Sequence, residues 1–204
     1  MKILIACEYS GRVRDAFAAR GHDVLSCDFE ESEAPGPHFK GDVLELIGHE
    51  RFDMMIAFPP CTYLCRSGIQ WNSVYPGRTA KTEDAIRFVR ELWSAPIKLK
   101  ALENPVGVLS TRFRQPDQII QPYQFGENAS KATCLWLDGL PQLRPTEFHP
   151  PQKRVWKGRV VERWANQLDS GANRVSPGAD RWKERSRTYP GVAAAMAAQW
   201  SDIV

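Results

Sequence analysis

The chain has 204 residues, 43% hydrophobic and 25% charged, with a formal net charge of +3. That is enough to bury one substantial core, so a single domain over residues 1–204 is the expected organisation. The charge permits a polyanionic partner without requiring one, and five cysteines, an odd number, exclude a disulfide framework.

The first strand is expected at residues 2–7, where Ile3-Leu4-Ile5 is too short for a signal peptide. No apolar run in the chain is long enough to span a membrane, so a reducing cytoplasm is the expected compartment. Cys7-Glu8-Tyr9-Ser10-Gly11 then makes a turn ahead of a helix over 11–20, with Val13, Phe17 and Ala18 on its inner face and Gly21 at its end. A second strand at 23–27 delivers Asp28. Gly41-Asp42-Val43 follows, where Asp42 either caps a helix over 43–49 or meets a ligand.

The apolar run ending in Met54-Met55-Ile56-Ala57-Phe58 predicts a buried strand over 53–58. Pro59-Pro60 stops it, since two prolines fix φ and remove two donors, and leaves Cys61 on a pre-ordered loop. Next comes a helix capped by Thr82, with Ala85, Ile86, Val89 and Leu92-Trp93 facing inward. A strand over 97–102 leads to Glu103-Asn104-Pro105, where the Asn-Pro step forces an extended exit. A further strand is expected at 132–137, a broken Pro-, Arg-, Lys- and Trp-rich stretch over 141–182, and a final alanine-rich helix from Pro190 to Trp200. Alternating strands and helices imply right-handed crossovers and a mostly parallel α/β sheet.

Ligands of such sheets bind beyond the carboxyl ends of the strands. A carboxylate about twenty residues after a glycine turn suits a ribose, which makes Asp28 a candidate contact or else a solvated strand end. One glycine in place of three argues for a nucleoside without phosphates. Cys61 reads either as a nucleophile on a stiff loop or as an inert core thiol, and Glu103 either as a proton donor beside it or as a helix cap. Cys61-x-x-x-Cys65 lacks a second ligand pair, so no metal is expected, and Cys65 reads as structural.

In order along the chain, these residues resemble the cytosine-C5 methyltransferases that use S-adenosylmethionine, in particular short phage-type members. Pro59-Pro60-Cys61 and Glu103-Asn104, about forty residues apart, carry the specific part of the likeness. The resemblance implies a Rossmann-like sheet of the S-adenosylmethionine-dependent methyltransferase type. It assigns Glu8, Tyr9, Ser10, Gly11, Asp28, Asp42, Val43 and Pro59 to the cofactor. Catalysis goes to Cys61, Glu103, Lys131 and Thr133, and Pro60 and Asn104 go to the cytosine. Lys131 and Thr133 follow Phe125-Gly126, where the family has a Gln-x-Arg-x-Arg segment, and Ser186 to Ala193 resembles its closing segment. The implied chemistry is Cys61 addition to C6, protonation of N3 by Glu103, methyl transfer to C5, and loss of the C5 proton with expulsion of Cys61. It also implies a phage-encoded protein acting in a bacterial host.

Only residues 143–185 stand where the family carries a target-recognition domain. They interleave cations with Trp156, Trp164 and Trp182, a composition suited to phosphate contact and base stacking. Lys153, Arg154, Arg185 and Arg187 are the candidate contacts to duplex or single-stranded DNA, and no protein partner is inferable. Two other readings stay open: a free pyrimidine nucleotide or another transferred group, and an inactive paralogue that keeps the fold.

Overall fold

A computed structural model describes residues 1–175, 178 and 181–203. In chain order the elements are β1 (Lys2–Ala6), α1 (Arg12–Ala18), β2 (Asp23–Asp28), β3 (His38–Lys40), α2 (Val43–His49), β4 (Met54–Ala57), α3 (Arg66–Ile69), α4 (Arg78–Trp93), β5 (Leu99–Pro105), α5 (Leu109–Arg112), β6 (Gln118–Ile120), β7 (Thr133–Asp138), β8 (Gln152–Trp156), β9 (Arg159–Arg163), α6 (Arg181–Ser186) and α7 (Pro190–Trp200).

β1 and β4 are apolar throughout because they lie at the centre of a sheet covered on both faces. Ile3, Ile5, Met54 and Ile56 pack with Val13 and Phe17 of α1 and Met196 and Trp200 of α7. Their alternating neighbours Leu4, Ala6, Met55 and Ala57 pack on the other face with Val43, Leu46 and Leu92 of α2 and α4. Seven strands form this sheet in the order β3-β2-β1-β4-β5-β7-β6. The first five are parallel, and β7 runs antiparallel to β5 and β6. The result is a Rossmann-like, mostly parallel α/β sheet. Its chain reverses direction of travel between β1 and β4, so the crevice beyond their carboxyl ends is the place for a ligand.

Three expectations shift. α1 leaves Ala18 exposed and buries Arg14 instead. Arg14 satisfies its guanidinium with the hydroxyls of Ser26 and Ser32 and the carbonyls of Ala34 and Pro35, so this buried charge pins the 32–35 loop. α4 begins at Arg78 rather than at Thr82, after Gly77 at φ 76°. The Thr82 hydroxyl lies inside the helix and donates to the Tyr63 carbonyl at 3.2 Å. β5 runs on through Glu103-Asn104-Pro105, held by antiparallel pairing to β7. β4 ends opposite Leu102, so these three residues have no strand on that side and a proline is tolerated there.

Residues 143–185 hold more order than a basic loop. β8 and β9 form a separate antiparallel hairpin. Its turn residues Lys157 and Gly158 both have positive φ, 50° and 73°, as a twist-compatible two-residue turn requires. Trp164 stacks on Tyr123 with ring centroids 4.3 Å apart. Residues 176, 177, 179 and 180 of this segment lie outside the described residues.

Candidate active site

A cavity of about 560 Å³ opens beyond the carboxyl ends of β1, β2, β4 and β5. It brings together residues far apart in sequence: Glu8, Tyr9 and Ser10 after β1, Asp28 at the end of β2, Pro59, Pro60 and Cys61 after β4, and Glu103 on β5. Lys131 and Arg185 complete its wall.

On the β1 side the chain turns sharply at Cys7, which adopts φ 57°, a region that a residue with a Cβ enters at a cost. The turn sends Glu8 inward, where it is 4% exposed. One carboxylate oxygen accepts the Ser10 hydroxyl, while the other, Oε2, is buried without a partner. Burial raises the pKa of Glu8, against hydrogen bonds from Ser10, Val13 and Arg12 that favour its charge. A buried carboxylate oxygen with no donor calls for a cationic or hydrogen-bonding ligand group. Burial likewise raises the pKa of Asp28, whose Oδ1 accepts the Glu30 amide at 3.0 Å. The Tyr9 hydroxyl donates to the Lys183 carbonyl at 2.6 Å and lies 3.0 Å from the Ser186 hydroxyl. Loop and α6 are thereby joined across the cavity.

On the β4 side, the loop carrying Cys61 is fixed by a bond that reaches across from β5. Asn104 is 1% exposed, and its side-chain amide donates to the Pro59 carbonyl at 2.8 Å. Asn104 does not line the cavity. It stands behind the loop that carries Cys61, whereas the resemblance puts it on the cytosine. Glu103 does face the cavity: burial raises its pKa, opposed by the positive charge of Lys131 and a hydrogen bond with Thr133. A carboxyl so balanced keeps its proton to higher pH than an ordinary glutamic acid and can donate it. Lys131 is steadied by donating to the Arg185 carbonyl at 3.0 Å.

Other expected residues lie away from the cavity. Gly11 has φ 75°, and a Cβ there would meet the Arg14 guanidinium at 2.6 Å, so it serves the turn. The Asp42 carboxylate caps α2 through the Leu44 amide at 2.9 Å, and Val43 is buried in the core. Thr133 borders an adjoining cleft with Glu103 and Lys131. Arg187 forms a two-bond ion pair with Glu33 at 2.8 and 2.6 Å and does not line the cavity. Lys153 and Arg154 sit on the β8–β9 hairpin, where Arg154 pairs with Asp169 at 3.1 Å.

Several cavity residues escape the sequence reading. Trp182 reads only as part of a basic stretch, yet it lines the cavity and tilts against Tyr9 at 5.8 Å. Arg78 donates to the carbonyls of Thr62 at 3.2 Å and Gly68 at 3.3 Å and lies over the Tyr63 ring. Cys65, which reads as structural, also lines the cavity, four residues after Cys61. The signal for this pair was the one-turn spacing of Cys61 and Cys65.

Among the described residues, no group of His, Cys, Asp and Glu is arranged to hold a metal ion, and no helix is long and apolar enough to cross a membrane. Neither the family models nor the curated proteins contain a match to this chain. Among solved structures, the chain is similar to a triple mutant of Spodoptera frugiperda DNMT2, with 15% sequence identity and a TM-score of 0.46. That similarity covers 74% of this chain and 57% of the other.

Proposed function

We propose that this protein transfers a methyl group from S-adenosylmethionine to C5 of cytosine in DNA through a covalent adduct on Cys61. The observation that carries this reading is the single cavity in which Cys61 and Glu103 face Glu8, Tyr9 and Asp28. A sheet crevice with a polar β1 turn at one end and a thiol and carboxyl pair at the other suits a two-substrate reaction.

The residues fit the cofactor. Glu8 Oε2, buried without a donor, is matched to the ammonium of an amino-acid tail. Asp28 is matched to ribose hydroxyls and Trp182 to a planar base. When bound, S-adenosylmethionine supplies an electrophilic methyl group on a sulfonium. The chain's own part is to hold the pyrimidine with C6 against the Cys61 sulfur and to deliver the Glu103 proton to N3 as negative charge collects there. Lys131 keeps that carboxyl ionisable after it has donated, so that it recovers the proton when the ring is restored. For a base within a duplex, access to the cavity requires flipping.

The direct test is incubation with labelled S-adenosylmethionine and either DNA or dCMP, followed by nucleoside mass analysis. 5-Methylcytosine in DNA is the expected product. Product from dCMP alone would move the substrate to the free nucleotide, and label in neither would defeat the proposal.

Asp28→Ala is expected to weaken S-adenosylmethionine binding by about 1 to 3 kcal/mol, because ribose hydroxyls would be left unpaired in a buried site. Unchanged affinity by titration calorimetry would remove Asp28 from the cofactor pocket.

DNA affinity should come mainly from phosphate contacts, falling steeply with salt and varying little with base sequence. The β8–β9 hairpin is the arm that supplies them. Lys153 is exposed, and Arg154 is already engaged by Asp169. Replacing both by alanine is expected to flatten the salt slope by about one unit, on unrelated sequences alike. Fluorescence anisotropy on several oligonucleotides reads this. A slope unaltered by the substitutions would place the phosphate contacts elsewhere.

A further inference from the structure

The segment between the Cys61 loop and α4 carries three large apolar side chains that the fold does not bury. Trp71, Val74 and Tyr75 are 44%, 56% and 56% exposed, and the 3-10 turn over Gln70–Ser73 has no buried residue. The segment is nevertheless firmly built. At its start, Cys65 pairs with Gly107 in an isolated antiparallel bridge, and the Arg66 amide donates to the Val106 carbonyl at 3.1 Å. Within it, the amides of Val74 and Tyr75 both donate to the Trp71 carbonyl, at 3.1 and 3.0 Å. From α4, the Thr82 hydroxyl accepts the Asn72 side-chain amide at 2.9 Å and Arg78 holds the Gly68 carbonyl. Polar bonds thus fix the turn, and its rings are displayed on a rigid support. Neighbouring exposed apolar side chains of this size mark a place where something binds.

Three observations say what binds. The rings of Trp71 and Tyr75 lie side by side, with centroids 5.8 Å apart and planes tilted by 39°, so they offer one broad π surface. Trp71 also lines the cavity together with Cys61 and Gly68, so that surface begins at the cavity rim. The charge around it has one sign. No Asp or Glu occurs from Met54 to Thr82, a stretch that holds Arg66, Arg78 and Lys81. Arg66 and Lys81 are exposed, and Arg78 and Lys81 lie over the Tyr63 ring at 4.7 and 5.7 Å. The next acids along the chain, Glu83 and Asp84, are paired with Arg112 and Arg87. Exposed rings among cations, with no acid in the stretch, suit a partner that is flat and apolar on its bases and negatively charged along its backbone, which is a nucleic acid strand.

We propose that Trp71 and Tyr75 form a shelf that stacks an unpaired base next to the cytosine held in the cavity, so that the substrate is a single strand rather than a duplex or a free nucleotide. This rests on the proposed reaction at Cys61. Stacking needs a base whose face is open, and in an unpaired strand a base can turn its face to the shelf while the phosphates run past Arg66 and Lys81. A duplex would first have to give up its pairing, and a lone nucleotide has no neighbour to place there. The shelf therefore adds what phosphate contacts on the β8–β9 hairpin cannot supply, because it separates a strand with bases from a bare chain of phosphates. Every base has a π face, so the shelf selects the form of the substrate and not its sequence.

Two measurements on the full chain test this, and the first needs neither cofactor nor turnover. Fluorescence anisotropy compares a labelled strand of thymidines around one deoxycytidine, the same strand with abasic residues in place of the thymidines, and the paired duplex. The wild type should bind the single strand about tenfold more tightly than the abasic strand, the scale of one stacked base, and more tightly than the duplex. Trp71→Ala should remove most of the preference for bases while leaving the abasic affinity and the salt slope as they were, and Trp71→Phe should keep most of it. Neither variant should shift the thermal unfolding midpoint, because Trp71 is outside the hydrophobic core clusters of the described residues. An unchanged ratio of single-strand to abasic affinity in Trp71→Ala and Tyr75→Ala would overturn the shelf. So would a duplex bound more tightly than the strand, or wild-type self-association lost in these variants, which would give the patch to a second copy of this chain. The second measurement is transfer from labelled S-adenosylmethionine to the single strand. Making the neighbour of the cytosine abasic should, on its 5′ or its 3′ side, raise KM about as much as Trp71→Ala does, with kcat within a few fold, and the two changes together should do no more than either alone. Fully additive effects on both sides would overturn the shelf. If no strand is methylated, the proposed function falls, while the affinity ratios still decide whether the shelf exists.

Discussion

Cys61→Ser is expected to lose methyl transfer by about a thousandfold or more, the scale on which removal of a covalent nucleophile acts. S-Adenosylmethionine binding should stay within a few fold. A serine hydroxyl has nearly the shape of the thiol but is far less ionisable, so it cannot add to C6 in its place. Binding survives because the groups matched to the cofactor, Glu8 and Asp28, stand on β1 and β2, beyond Pro59 and Phe58 on the cavity wall. The check is single-turnover transfer beside calorimetric titration of the cofactor. The covalent counterpart is a mass increment from 5-fluorocytosine DNA on the wild-type Cys61 peptide, since fluorine at C5 cannot leave as a proton does. Retained turnover in the serine variant, or an increment on Cys65, would displace Cys61 from its role.

Gly107→Ala is expected to destabilise the fold by about 2 to 3 kcal/mol, the range for forcing atoms into a packed site. A Cβ at Gly107 would stand 2.0 Å from the Leu64 carbonyl oxygen and 2.9 Å from the Cys65 Cα. Both neighbours are backbone, so no rotamer change relieves the clash. The bridge between β5's exit and the Cys65 turn has to open, and Cys65 moves with it. Thermal unfolding would show a lower midpoint, and activity should fall in the folded fraction as well. A variant of wild-type stability and activity would mean that the two segments are not held against each other. Gly107 also follows Pro105 by two residues, so this short stretch sets the spacing between Glu103 and the turn that carries Cys61 and Cys65.

Much of the architecture was legible because its cause is local. Continuous apolar runs at Ile3–Ile5 and Met54–Ala57 could only be central strands, and Pro59-Pro60 could only end one. Cys61, Glu103, Glu8 and Asp28 were legible for the same reason, as polar residues placed just beyond such strands. What escaped depends on distant chain. Arg14 is missing from the predicted inner face of α1 because what satisfies its buried charge is the distant 32–35 loop. The bond from the Asn104 amide to the carbonyl of Pro59, forty-five residues earlier, leaves no trace in the local pattern. Trp182 and Arg78 reach the cavity by tertiary placement that no periodicity encodes. The place of Cys65 on the cavity wall was within reach of sequence reasoning: a residue four places after Cys61 in a tight turn returns to its side.

The inner surface of α6 has no buried side chain, although Trp182, Arg185 and Ser186 form part of the cavity wall. What ties this helix and its exit down is polar: Tyr9 to Lys183 and Ser186, Lys183 to Glu30 at 3.5 Å, Arg187 to Glu33, and Arg12 to the Thr188 carbonyl at 2.8 Å. Each such bond contributes about 1 kcal/mol or less at a wetted surface, and none belongs to the sheet's packing. A latch of this kind lifts without disturbing the core, as segments poor in apolar burial do. Opening of the cavity at α6 is therefore expected to respond to ionic strength more than to the stability of the fold.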